Sequence, residues 1–185
     1  MTASYVFGYG SLVNPATHDY AETHPASLMG WRRVWRHAAG REVAFLTVVR
    51  SPGDQIAGAV ARVQEDEWSA LHAREQWYLP ERTRDVRHHL PETGDMVVYH
   101  APDDLHLPAE APLPILLSYL DVVVQGYARA FGEEGVAEFF ATTDGWHAPV
   151  LDDRGAPRYG RHQTLTRQET ALTDHWLAHM GVQRI

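Results

Sequence analysis

The chain has 185 residues, of which 44% are hydrophobic and 22% are charged, as in a folded domain with one buried core. The formal net charge is −8 and no basic residue is lysine, which argues against a nucleic-acid partner and excludes Schiff-base chemistry. Cysteine is absent, which excludes a thiol nucleophile, and no apolar run approaches the ~20 residues of a membrane span. Because the start carries no secretory signal, we expect a cytoplasmic protein without membrane contacts.

The first half of the chain is predicted to consist mainly of strands. Six segments are rich in β-branched and aromatic residues and are bounded by turn residues. They are Tyr5–Tyr9, Ser27–Arg36, Glu42–Arg50, Ile56–Val63, Arg82–His89 and Asp95–His100. Residues 51–54, Ser-Pro-Gly-Asp, predict a turn between the third and fourth strands, because proline presets φ and glycine accepts a positive φ.

A short helix is predicted over Glu65–Arg74, between these strands. Its first residues are acidic, which suits the positive end of a helix. Trp68, Leu71 and Glu75 follow the i, i+3, i+7 spacing of one helical face. We therefore expect Glu75 at the end of this helix, on its inward side.

The second half of the chain is predicted to be mostly helical. An apolar stripe indicates a helix over Ile115–Phe131, with Gly132 as its stop and a short helix over Glu133–Thr142 after it. Thr166 and Glu169 have the spacing of a capping box that opens a last helix.

The segment Thr143–Gln163 is long for a loop, so we expect it either to contact a ligand or to pack across the core. Strands followed by helices indicate the α+β class. We expect a single domain over residues 1–185, with the sheet core in 1–110 and a helical extension in 111–185.

The most informative segment is residues 5–12, Tyr-Val-Phe-Gly-Tyr-Gly-Ser-Leu. A strand runs directly into Gly8 and Gly10, which let the backbone turn tightly and approach a ligand closely. Successive N–H groups in such a turn can converge on an anion. On composition alone, a plain glycine turn after a strand is the simpler interpretation.

Three segments resemble the γ-glutamylcyclotransferase-like superfamily, and the first is most similar to its ChaC branch. They are Phe-Gly-Tyr-Gly-Ser-Leu at 7–12, Gly-Trp-Arg-Arg-Val-Trp at 30–35, and Leu-His-Ala-Arg-Glu at 71–75 followed by Tyr78. Gln76 and Trp77 stand where the family often has glycine, so we expect a bulkier wall beside the glutamate. The second half carries no landmark specific to the ChaC branch, which leaves its glutathione preference open for this chain.

The resemblance implies a small mixed β-barrel with helices packed outside and a pocket at the barrel mouth. It implies that Glu75 is catalytic. It also implies a group of residues that bind the substrate: Tyr9, Gly10, Ser11, Leu12 and Tyr78. The implied substrate is a small γ-glutamyl compound, and the implied reaction is its cyclisation to 5-oxoproline with release of an amine.

This reaction needs no metal, cofactor or protein nucleophile, because the α-amine of the substrate attacks its own γ-carbonyl. One carboxylate can take the amine proton and return it to the leaving nitrogen, provided that burial raises its pKa. Glu75 fits this role, with apolar and aromatic neighbours in sequence. Without the family motifs, an exposed glutamate paired with Arg74 or Arg82 would be the better interpretation.

Other residue types allow further interpretations. Tyr9 and Tyr78 fit an aromatic core as well as a pocket, and Tyr127 fits a core helix better than a pocket. Ser11 lies in Gly-Tyr-Gly-Ser rather than Gly-x-Ser-x-Gly, so we interpret it as a loop donor and not as a nucleophile.

His175 and His179 are four residues apart on the last predicted helix and could bind a metal. The sequence offers no third ligand nearby, so a solvated helix face is the better interpretation. We therefore expect no metal. We also expect no cofactor, and either a monomer or a homodimer.

Three functions stay open on the sequence. A cyclotransferase releases 5-oxoproline, an amidohydrolase that uses the same glutamate to activate water releases glutamate, and a ligand-binding module releases neither. Retention of Glu75 argues against simple binding, because a carboxylate does not favour an anionic ligand. Glutathione, γ-glutamyl amino acids and γ-glutamylamines share the glutamyl part that the motifs would contact.

Overall fold

The sheet of the first half is the frame on which the rest of the molecule is built. The computed structural model describes residues 5–20, 22–38, 40–91, 94–102 and 112–185. The strands from the first half are β1 (Tyr5–Gly8), β2 (Thr23–Arg36), β3 (Phe45–Arg62), β4 (Leu79–Thr83), β5 (Val86–Arg87) and β6 (Met96–His100). Their order is β4-β6-β1-β3-β2-β5, antiparallel except for the β1–β6 pair.

The expected α+β class is confirmed, but within the described ranges the sheet is not closed into a barrel. Its two end strands, β4 and β5, pair with β6 and β2 and not with each other. Only Arg84 and Asp85 separate them in the chain. Two residues span about 10 Å at most, so the sheet must roll until its two edges are close. The Met29 N–H donates to the Asp85 carbonyl at 2.8 Å, which extends the β2–β5 pairing into this connection.

The predicted turn at residues 51–54 is a bulge inside one long strand. Met29 pairs with Gln55 and Trp31 pairs with Arg50, so four residues of β3 lie opposite the single Gly30 of β2. Gly30 and Gly53 have φ of 76° and 94°, which glycine adopts without steric cost. The strands predicted on either side of it both pair with β2 as parts of β3. The chain therefore bulges away from the sheet here and does not reverse its direction.

The helices follow the sequence prediction, except that the first begins at Trp68 and not at Glu65, so the acidic residues 65–67 precede it. Helix α1 (Trp68–Arg74) is followed by Glu75, whose N–H caps the helix on the Leu71 carbonyl at 2.9 Å. Helix α2 spans Leu117–Ala141 and is interrupted at Gly132, where φ is 70°, as its predicted stop requires. Helix α3 (Arg167–His179) begins with the predicted capping box of Thr166 and Glu169. No described helix is long and apolar enough to cross a membrane.

The segment Thr143–Gln163 is held by contacts along its length. It contains β8 (Thr143–Asp144), which pairs with β2, and β9 (Val150–Leu151), which pairs with β7 (Ile115–Leu116). Arg154 makes a two-pronged ion pair with the buried Asp121 of α2, at 2.7 and 2.8 Å. The segment therefore packs across the core, one of its two predicted roles. The expected division between 110 and 111 lies outside the described residues.

The main core lies between the concave sheet and α2. Its largest fully buried side chains come from β2 and α2, namely Trp31, Trp35, Tyr127, Phe139 and Phe140. Helix α3 covers the other side, where Trp176 stacks on Phe140 with ring centroids 5.4 Å apart. This packing holds the start of α2 against the end of β1.

Candidate active site

A pocket opens where β1 ends, and all six sequence-predicted site residues line it. Its volume, together with that of its open mouth, is about 380 Å³. The full lining is Phe7, Gly8, Tyr9, Gly10, Ser11, Leu12, Leu46, Glu75, Tyr78, Tyr99 and Tyr119. Residues 9–12, which we call the glycine loop, form one wall, and Glu75 lies on another.

The glycines of this wall are required by space and not by a left-handed backbone. Neither Gly8 nor Gly10 has a positive φ. A Cβ on Gly8 would lie 2.4 Å from the Leu12 Cβ, and one on Gly10 would lie 2.6 Å from the Tyr119 hydroxyl. The glycine loop then enters a short 3-10 helix, Ser11–Val13, whose first N–H groups have no acceptor inside the helix. These N–H groups are the candidate donors to a bound anion.

Asn14 anchors the glycine loop to α2 from behind. Its side chain is fully buried and donates to the Val122 carbonyl at 3.0 Å and to Gln125 Oε1 at 2.9 Å. Its own Oδ1 accepts from the Ala16 N–H at 3.1 Å. Gly126 permits this approach, because a Cβ there would lie 2.8 Å from the Asn14 backbone nitrogen. The loop is therefore docked on a helix more than 100 residues away in the chain.

Glu75 is partly buried at the pocket, with only 17% of its side chain exposed. Its Oε1 lies 3.2 Å from Nε of Arg74. Burial raises the pKa of the Glu75 carboxyl, although the charges of Arg74 and Arg161 oppose the shift. The pairing with Arg74 that we considered for an exposed glutamate is present, but the carboxyl itself is in the pocket.

Arg74 joins the two walls, whereas the sequence analysis considered it only as a partner for an exposed Glu75. Its Nη2 donates to the Ser11 hydroxyl and its Nη1 to the Thr17 carbonyl, both at 3.2 Å. The Glu75 carboxyl and the Ser11 hydroxyl are therefore bound to the same guanidinium. The only signal for this link in the sequence is that Arg74 directly precedes Glu75 in the motif at the end of the helix.

Tyrosine hydroxyls supply most of the remaining polar groups in the pocket. Tyr9 donates to the Tyr99 carbonyl at 2.7 Å, and Tyr78 donates to the Leu46 carbonyl at 2.9 Å. Burial raises the pKa of Tyr9, Tyr78, Tyr99 and Tyr119, and the charge of Glu75 adds to the shift. These hydroxyls therefore stay protonated at neutral pH. Tyr9 and Tyr78 are both packing residues and pocket residues.

Five lining residues were not among the predicted site residues: Phe7 and Gly8, which belong to the motif at 7–12, and Leu46, Tyr99 and Tyr119. Tyr119 belongs to the apolar stripe at the start of α2, and its spacing is the same as that of core residues. It packs edge-on against Tyr159, with ring centroids 5.0 Å apart, which brings the segment Thr143–Gln163 beside the pocket. Tyr127 is fully buried and does not line the pocket, as predicted for a core position.

Two other expectations concern residues away from the pocket. The bulkier wall expected from Trp77 is wrong, because its side chain turns outward, is 58% exposed, and lies 5.2 Å from the Arg41 guanidinium. His175 and His179 stack on each other with ring centroids 6.3 Å apart. Within the described parts of the chain, no group of three or more His, Asp or Glu side chains is arranged to hold a metal ion.

Solved structures with the same fold include three that match most of this chain. A protein named gamma-glutamyl cyclotransferase matches with a TM-score of 0.60 and 14% identity, over 93% of this chain and 98% of its own. An uncharacterized protein from Homo sapiens matches with a TM-score of 0.59 and 15% identity, over 92% and 98%. YkqA from Bacillus subtilis matches with a TM-score of 0.57 and 20% identity, over 78% of this chain and 57% of its own.

Comparison of sequences identifies the family of this chain more specifically than the fold does. No curated protein matches the chain significantly. The model of the ChaC-like protein family matches residues 4–99, a range that contains the glycine loop, Glu75 and ten of the eleven residues that line the pocket. With just over half of its length matched and a γ-glutamyl cyclotransferase-like fold around the pocket, the chain belongs to the ChaC-like family.

Proposed function

We propose that this protein is a γ-glutamyl cyclotransferase that converts a γ-glutamyl compound into 5-oxoproline and a free amine. The observation that carries the proposal is the Glu75 carboxyl, which is mostly buried, has a raised pKa, and shares one pocket with the glycine loop. The fold of a protein named gamma-glutamyl cyclotransferase and membership of the ChaC-like family support it.

In the proposed reaction the α-nitrogen of the substrate forms a bond to its own γ-carbon, and the γ-carbon then loses its original amide nitrogen. Glu75 takes a proton from the α-amine and gives it to the leaving nitrogen, so the enzyme ends in its starting state. No water or other reactant is consumed. The nucleophile is tethered, so a pocket that holds the substrate curled supplies most of the advantage.

The glycine loop is the proposed site for negative charge. The N–H groups that begin the 3-10 helix would bind the substrate α-carboxylate or the oxyanion that forms on the γ-carbonyl. Tyr9 and Tyr78 would shape the pocket around the glutamyl chain, since their hydroxyls are already bound to backbone carbonyls. Arg74 would hold the Glu75 carboxyl towards Ser11.

The part of the substrate on the γ-nitrogen would lie towards Tyr119 and the segment Thr143–Gln163. Tyr159 of this segment packs on Tyr119, and the charge of Arg161 acts on the Glu75 carboxyl. Both residues are therefore close enough to influence the leaving group. Glutathione, γ-glutamyl amino acids and γ-glutamylamines differ only in this part.

The test is a panel of these three substrate classes, with products identified by mass spectrometry. We expect release of 5-oxoproline from at least one class, and no release by Glu75→Gln. Glutamate as the product would indicate an amidohydrolase, and saturable binding without any product would indicate a binding module. Either outcome would contradict the proposal.

A further inference from the structure

A buried arginine lies directly behind the glycine loop, and the proposed reaction has not used it. Arg33 of β2 is fully buried. Among the described residues, no acidic side chain forms an ion pair with it. A buried cation without an acidic partner is costly unless its N–H groups are all well bound, so this position calls for a physical explanation.

The guanidinium of Arg33 is held by oxygen atoms of four residues that lie far apart in the chain. Its Nε donates to the Tyr9 carbonyl at 3.2 Å, and its Nη1 donates to the Thr142 hydroxyl at 2.6 Å. Its Nη2 donates to the Ala57 carbonyl and, at 2.6 Å, to the Tyr127 hydroxyl. The guanidinium also lies 5.1 Å from the ring centroid of Tyr127, which adds a cation–π contact.

The Tyr127 hydroxyl completes the arrangement. It accepts from Arg33 and lies 3.0 Å from the Tyr9 carbonyl and 2.8 Å from the Ala57 carbonyl, so its single proton can go to either. The Tyr9 carbonyl is therefore fixed by a charged donor and by a hydroxyl on the side away from the pocket.

Fixing this carbonyl also fixes the N–H of the next residue. In a planar trans peptide the carbonyl of Tyr9 and the N–H of Gly10 point in opposite directions. The Gly10 N–H therefore faces the pocket, and it donates to no acceptor in the described part of the chain. A guanidinium bound to the carbonyl draws electrons from the peptide, which makes the N–H a stronger donor.

We propose that Arg33 and Tyr127 are positioning residues that hold the Tyr9–Gly10 peptide with its N–H aimed at the negative charge of the bound substrate. This inference rests on the proposed cyclotransferase function and adds a named donor and its support to it. Arg33 touches no substrate atom; it acts through the peptide that does.

The first test reads the peptide itself and does not depend on turnover. The chain contains only two Tyr-Gly pairs, Tyr9–Gly10 and Tyr159–Gly160. Labelling tyrosine carbonyls with ¹³C and glycine nitrogens with ¹⁵N therefore gives two NMR cross-peaks. In Arg33→Met we expect the Tyr9 carbonyl signal to move upfield as its hydrogen bond is lost, while the Tyr159–Gly160 peak stays in place. An unmoved Tyr9–Gly10 peak would overturn the proposal.

The second test measures kcat and KM separately on the same variants. A misdirected donor should lower kcat by about tenfold or more at saturating substrate, with Arg33→Lys recovering part of the loss. The matched control is Arg32→Met, which removes the neighbouring arginine from a surface ion pair with Asp144. It should change kcat by less than about twofold, since surface pairs contribute little. A folded Arg33→Met with wild-type kcat would contradict the proposal.

Tyr127→Phe keeps the result decisive if Arg33→Met fails to fold. This variant keeps the ring and the cation and removes only the hydroxyl that shares the two carbonyls. We expect a smaller shift of the same NMR peak and a smaller fall in kcat. If Tyr127→Phe changes neither the peak nor kcat, the proposal is overturned. If the wild-type protein releases no 5-oxoproline from any γ-glutamyl substrate, the proposed function fails, and the NMR peak still reports whether the peptide is held.

Discussion

The two halves of the chain meet at the pocket and supply different things to it. Ten of the eleven lining residues come from the first half, including Glu75, the one acidic side chain among them. The second half contributes Tyr119 to the lining, and behind the wall its residues Gln125 and Tyr127 hold the glycine loop in place. The chemistry is therefore local to the first half, and the second half positions it.

The largest effect is expected when the Glu75 carboxyl, which the first half contributes to the pocket, is removed. Glu75→Gln should lower turnover by about 100- to 10,000-fold, because the amide can neither take nor return the proton. Substrate affinity, measured by isothermal titration calorimetry on the inactive variant, should stay within a few-fold. The exposed Glu65 provides the control, and Glu65→Gln should behave as the wild type. Turnover near the wild-type rate in Glu75→Gln would remove Glu75 from the mechanism.

The contact between the two halves can be tested at Gly10. Gly10→Ala places a Cβ 2.6 Å from the Tyr119 hydroxyl, and its next contact, with Leu46, is an ordinary 3.5 Å. We expect kcat/KM to fall about 5- to 100-fold from this overpacking. Tyr119→Phe removes the clashing atom. Adding Gly10→Ala to Tyr119→Phe should therefore lower kcat/KM much less than adding it to the wild type. An equal loss in both backgrounds would show that this contact is not the cause.

A smaller effect is expected where the second half anchors the loop. Asn14→Ala removes two donated hydrogen bonds and leaves the Val122 carbonyl and the Gln125 amide without that partner. The free energy of unfolding should fall by about 1–3 kcal/mol, with a lower kcat as the loop loses its dock. Gln163→Ala deletes an exposed amide that donates to Ala16 and is the matched control. Chemical denaturation of both variants measures the difference.

The smallest effect concerns stability and pH. Burial raises the pKa of Glu75 above the ordinary glutamate value of 4.5, so the folded protein binds this proton more tightly than the unfolded chain does. The wild type should therefore lose stability relative to Glu75→Gln as pH rises from about 4.5 through the folded pKa, and the difference should then stay constant. We expect a change in the Tm difference of about 1–4 °C. A wild type that gains stability over this range would contradict the sign.

Local features of this protein were accurately predicted from its sequence. The end of α1 at Glu75, the interruption of α2 at Gly132 and the capping box at Thr166 depend on residues within about one helical turn of each other. The pairing of the glycine loop with Glu75 was predicted from motifs that resemble a family. Spacing alone would have left Glu75 as an exposed glutamate.

The α+β class, the helix ends and the two motifs of the pocket could be predicted from the sequence, because each depends on neighbours in the chain or on a resemblance. Three features became visible only in the folded molecule: Gly10 makes room for Tyr119, Arg33 binds the back of the glycine loop, and residues 51–54 form a bulge. Each of these depends on residues brought together across the sheet or between the two halves. The spacing of residues in the sequence can indicate that Tyr119 or Arg33 is buried, but not which distant residues it contacts. Its position in the helix stripe or the strand is the same whatever those partners are.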